Sequence, residues 1–82
     1  MEKMKLWLRA ATPEEREALA ELSRVSVNYL YQMAGGHRRN PKVGLAMRIH
    51  LSSTEMFHRN PKLPLINMID LIPDEELFVF PL

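Results

Sequence analysis

Between Ser26 and Lys42 the chain reads "SVNYLYQMAGGHRRNPK", a segment in which hydrogen-bonding side chains give way to a knot of cations. Asn28 and Gln32 carry amides that can pair bidentately with adenine N6 and N7. Val27 can touch a thymine methyl, and the Tyr31 hydroxyl can reach a base edge or a phosphate. His37, Arg38, Arg39 and Lys42 follow in a loop, and Asn40 opens a predicted helix whose first N–H groups suit a phosphate. These types in this order fit a helix that reads a nucleic-acid groove and a loop that grips the backbone beside it. The plainer reading is an amphipathic helix whose polar face is merely solvated, with "HRR" a solvated loop.

Other chemistries find less support. No Ser-His-Asp set, Gly-rich phosphate loop or paired carboxylate in a cleft can be built, so no catalytic residue is assigned and the chain is not expected to be an enzyme. Glu14-Glu15 belong to a helix start and Glu75-Glu76 to a polar tail. His37, His50 and His58 lack a close paired spacing, so neither a metal site nor a cofactor is expected, and His50 reads as a helix-end cation or a wet surface residue. There are no cysteines, which excludes a disulfide framework and suits a reducing cytosol. The first residues, "MEKMKLWLRAATPEE", lack a long apolar stretch, and no apolar run approaches the ~18–20 residues of a membrane span. The expectation is an intracellular protein with no membrane partner.

The formal charge is only +1 over 82 residues, but its distribution is uneven. No acid occurs between Leu22 and Thr54, where Arg24, Arg38, Arg39, Lys42 and Arg48 supply positive charge with His37 and His50 nearby. From Leu63 onward the sign reverses: Asp70, Asp74, Glu75 and Glu76 face no lysine or arginine. The middle of the chain suits a polyanion and the tail does not.

The elements that must position these groups are helical. Leu6, Trp7 and Ala10 recur at helical spacing, predicting a short helix over 3–10, with Trp7 a core anchor whose N–H reaches the rim. Thr12-Pro13-Glu14-Glu15 carries a capping box and a first-turn proline, starting a second helix with Ala18, Leu19 and Leu22 inward that stops near Ser23 or Arg24. Ala20 is small where this helix would meet the next, and Val25 is apolar in the turn between them. Ser26 can cap a third helix held to the core by Leu30 and Met33 and ended by Gly35-Gly36. Asn40-Pro41 predicts a fourth helix from Pro41 to about His50 with Leu45, Ala46 and Ile49 inside, and Ser53 a cap for one further turn, "TEMFH". Leu65, Met68, Ile69 and Ile72 share one face of a possible fifth helix, and "LFVF" has strand preference. Met47, Met56 and Met68 read as core filler. The fold class is all-α: a bundle of about five short helices with an apolar, acidic C-terminal extension, divided as a domain over 1–61 and a tail over 62–82.

The stretch "ATPEEREALAELSRVSVNYLYQMAGGHRRNPKVGLAMRI" resembles the Cro/CI-type helix-turn-helix regulators of phages and prophages, most closely the small Cro-like or YdaS-type proteins. The resemblance runs from about Met4 to Pro61, with "STEMFHRNP" similar to that family's terminal short helix. It rests on the alanine in the second helix, Val-Ser, Tyr-Leu and the ending "GGHRR" at matching offsets. It implies DNA-facing roles for Ser26, Val27, Asn28, Tyr31 and Gln32 and backbone contacts for Arg38 and Arg39. One departure stands out: Ser23-Arg24 replaces that family's usual Ala-Gly, so Arg24 has to take a left-handed conformation at a cost of about 1 kcal/mol.

The expected function is therefore a DNA-binding transcriptional regulator, a Cro-like repressor acting on double-stranded DNA as a homodimer in the bacterial cytoplasm or nucleoid. The expected DNA contacts are Val27, Asn28, Tyr31 and Gln32 on base edges and Ser26, His37, Arg38, Arg39, Asn40 and Lys42 on the backbone. Leu65, Met68, Ile69, Ile72, Phe78 and Phe80 are the expected dimer interface, and the tail either packs back on its own domain or adds a strand across a two-fold axis. The alternative is a protein-interaction module, an antitoxin or phage adaptor in which the helix pair is a scaffold and the apolar tail binds a host protein.

Overall fold

The computed structural model describes residues 2–36 and 41–71, and over these the chain is all-α. It forms α1 (Glu2–Ala10), α2 (Pro13–Ser23), α3 (Val27–Ala34), α4 (Val43–Arg59) and a closing 3-10 turn, η1 (Met68–Leu71). "LFVF" lies outside the described residues.

Local chemistry sets α2 and α3. Thr12 Oγ1 accepts the Glu15 N–H at 3.1 Å while Glu15 Oε1 accepts the Thr12 N–H at 2.8 Å, so the capping box is complete, and Pro13 occupies the first turn where its missing N–H costs nothing. Glu14 and Glu15 also place negative charge at the positive end of the helix dipole. α2 ends at Ser23 with Arg24 at φ 62, ψ 39. The Arg24 N–H donates to Glu21 O at 3.1 Å and the Val25 N–H to Ala20 O at 3.0 Å, the paired bonds of a Schellman closure. Ser26 then caps α3, its Oγ accepting the Tyr29 N–H at 3.0 Å. Past the end of α3, Gly36 sits at φ 85, where a side chain would be strained.

Two predicted elements are replaced. The fourth helix and the separate turn "TEMFH" are one continuous helix of 17 residues, which begins at Val43 with Lys42 at the N-cap, not at Pro41. Ser53 does not start a helix. It lies buried inside α4 with its Oγ 2.8 Å from His50 O and 3.1 Å from Ile66 O, and it accepts the Ile66 N–H at 3.1 Å. The predicted fifth helix is replaced by an irregular run closed by η1, because the Ile66 N–H and C=O are taken by Ser53 and His50 of α4 instead of by helical partners. Its inward residues are Leu63, Ile66 and Leu71, while Ile69 is 60 % exposed. The segment 63–71 thus shares the core of the helices rather than standing apart from it.

That core is built from Met4, Trp7 and Leu8 of α1, Leu19 and Ala20 of α2, Leu30, Met33 and Ala34 of α3, Ala46, Ile49 and Met56 of α4, and the three apolar residues of the closing segment. α2 packs chiefly on α4, and α1 on α3. Leu6, Leu22 and Met47, expected inside, face solvent, as does Ala10; α1 turns Met4, Trp7 and Leu8 inward instead. Trp7 is a core anchor, but its indole does not reach the rim: the ring is wholly buried and its N–H has no partner among the described residues. His50 is neither at a helix end nor merely wet, since its Nδ1 lies 2.9 Å from Ile66 O.

Candidate nucleic-acid interface

The candidate interface begins with the turn from Arg24 to Ser26, because that turn fixes where α3 points. It is tied down from three directions. The Schellman bonds close α2 behind it, Val25 packs against the core, and Arg48 of α4 donates its Nε–H to Ser23 O at 3.0 Å. Arg48, counted with the basic block in the sequence, thus turns its Nε onto the last carbonyl of α2, where a cation also complements the negative end of the dipole.

On α3 itself, Leu30, Met33 and Ala34 are buried and Asn28 is exposed, with Tyr31 45 % exposed. Gln32 and Val27 are half-buried, and Val27 packs partly against the core, so its methyls present only one side outward. Ser26 is exposed, with its Oγ engaged in the helix cap. Lys42 is exposed at the N-cap of α4, where no side chain caps the helix. His37, Arg38, Arg39 and Asn40 lie outside the described residues. Of the residues expected at a dimer interface, Leu65 and Met68 are half-buried, Met68 packing against the core, and Ile69 is exposed. Ile72, Phe78 and Phe80 lie outside the described residues.

A second group of cations went unnoticed in the sequence. Lys5 and Arg9 of α1, Arg16 of α2 and Tyr31 of α3 surround an open cleft of about 240 Å3 with Leu8 and Ala34, and the wall of the cleft is mostly apolar. Arg16 is fixed there by its Nε–H, which donates to Leu8 O at 2.9 Å near the end of α1. Lys5 and Arg9 are exposed, and Lys5 meets Glu2 at 3.7 Å in a pair open to water, of the kind worth little in stability. The i, i+4 spacing of Lys5 and Arg9 was the available signal; it was masked by Glu2 and by the acids of α2, which make the amino-terminal third look neutral in a linear charge count.

No family model, curated protein or solved structure matches the chain. Among the described residues no helix is long and apolar enough to cross a membrane.

Proposed function

We propose that this chain is a sequence-specific DNA-binding regulator of transcription, a repressor of the Cro sort acting on phage or prophage promoters as a homodimer in the bacterial cytoplasm. The observation that carries the reading is the pairing of α2 and α3 through a three-residue turn, which leaves Asn28 exposed beside Gln32 on the second helix, in a stretch of chain without an acid. In the proposed mechanism α2 crosses the DNA backbone and α3 lies in the major groove, with residues near its amino end on base edges. Asn28 and Gln32 then read adenine, Val27 offers one methyl to thymine, and Lys42 contributes a backbone contact with Arg38 and Arg39. Bound at a promoter, the protein blocks polymerase by occupancy. Its role is binding, with no catalytic step.

Selection of bound sites from randomised duplex DNA, followed by affinity measurement, tests this. Gln32→Ala and Asn28→Ala should each cost about 1–3 kcal/mol on the selected site and much less on random duplex. Affinity should also fall steeply with salt, whereas apolar docking of a protein partner is nearly salt-indifferent. Equal losses on both DNAs, or salt-independent binding, would overturn the reading.

A further inference from the structure

A helix lying in the major groove has a phosphate wall on either side of it, since the groove is only about 12 Å wide and its rims are the two backbones. On α3, Tyr31 lies three residues from exposed Asn28 and three from buried Ala34, so it occupies the flank between the outward face and the core. On that flank it meets Lys5, Arg9 and Arg16, and no acid lines the cleft they form among the described residues. These cations come from α1 and from the first turns of α2, so a charge count along the stretch from Leu22 to Thr54 leaves them out.

We infer that Lys5, Arg9 and Arg16, the cations around this cleft, form a second backbone-binding surface, which grips the phosphates on the α1 side of the helix that reads the groove. The inference rests on the DNA-binding reading and extends it to residues outside the helix pair. The partner is the duplex backbone and not a small anion, because the cleft is open rather than enclosed, shares Tyr31 with the helix that carries Asn28, and has two of its cations exposed on α1. Lys5 can exchange its weak contact with Glu2 for a phosphate at little cost. Arg16 is held in place by its bond to Leu8 O, so its guanidinium is positioned before DNA arrives.

The test is fluorescence anisotropy of the full chain on selected and random duplexes across about 50–200 mM salt. Lys5→Gln with Arg9→Gln should lower the slope of log affinity against log salt by about two units on both duplexes, so that the wild type loses roughly tenfold more affinity over that range than the variant. Arg9→Gln alone should lower the slope by about one unit, and the charge-conserving pair Lys5→Arg with Arg9→Lys should restore it. Arg16 is left intact because it also holds the end of α1, and a thermal melt confirms that the variants fold. An unchanged slope while Gln32→Ala still weakens the selected site would overturn this inference and leave the groove-reading helix standing. An unchanged slope together with equal effects of Gln32→Ala on both DNAs, or no duplex binding by the wild type, would overturn both. Loss of inorganic phosphate binding in the double variant with the DNA slope intact would make the cleft a small-anion site, and the inference would fall.

Discussion

Arg24 carries the clearest local strain in the described chain: at φ 62 it is the one described residue other than glycine with a positive φ. A Cβ in that region costs about 1 kcal/mol, and glycine removes the cost while giving back part of it through the greater freedom of the unfolded chain. Arg24→Gly should therefore stabilise the protein by about 0.5 kcal/mol, which for a chain of this size raises the melting midpoint by roughly 2–4 °C in calorimetry. A lower midpoint would mean that the Arg24 side chain makes contacts that outweigh the backbone strain. The left-handed Arg24 was expected from the resemblance alone, in which Ser23-Arg24 stands where that family has Ala-Gly, and the observed φ agrees. The Thr12 and Ser26 caps were legible from the residues themselves, each being decided by neighbours within three residues. The Trp7 indole was not, since whether an N–H reaches the rim depends on which helices cover it.

At the scale of elements, α2 and α4 are joined at their far ends by one side-chain bond, from Asn60 Nδ2 to Glu15 Oε2 at 3.0 Å. That bond, then the Thr12 backbone N–H, hold the Glu15 carboxyl below its usual 4.5, with desolvation opposing them weakly. A carboxyl whose pKa is lowered by folding contributes stability that is fully present above the unfolded value and is lost as pH falls through the folded one. Wild type should accordingly be more stable than Glu15→Gln at neutral pH, and the gap should close as pH drops below 4.5 in denaturant titrations. A gap that stays constant from neutral pH to pH ~3 would show that the carboxylate charge has no part in the link. α2 could be read from sequence because its start and stop are local signals. α4 could not: no glycine or proline interrupts the chain from Leu45 to Arg59, but Ser52-Ser53 imitates a cap. What decides against the cap is non-local. Ser53 meets the backbone of Ile66, thirteen residues on, and back-bonds to His50 O, so its hydroxyl is satisfied inside the helix. The inward face of the closing segment was misjudged similarly, because helical periodicity was applied to a stretch whose Ile66 backbone is bonded to Ser53 and His50 of α4, a contact made thirteen or more residues away.

For the whole molecule, the closing segment changes how assembly has to be tested. Leu63, Ile66 and Leu71 are each 1 % exposed or less, and losing a buried leucine or isoleucine side chain costs about 2–5 kcal/mol. Cutting the chain after Pro61 would remove all three, a loss comparable with the whole ~5–15 kcal/mol stability of a domain, so a monomeric or inactive product would only report unfolding. Cutting after Leu71 keeps the core closed and removes the residues beyond it, including Ile72, Phe78 and Phe80. In the proposed mode an eight-residue α3 would read only a few base pairs, which is why two copies on paired half-sites are expected, and buried aromatics are the natural anchors for holding them together. Sedimentation should find the full chain dimeric and the chain ending at Leu71 folded but monomeric, with weaker binding to a palindromic site and unchanged binding to a single half-site. Ile69→Glu in the full chain adds an internal check: this side chain is 60 % exposed, so the fold should tolerate the charge, while a dimer that buries Ile69 should not. If the shortened chain stays dimeric and binds the palindrome as tightly as the full one, assembly runs through the helices and the tail has no part in it.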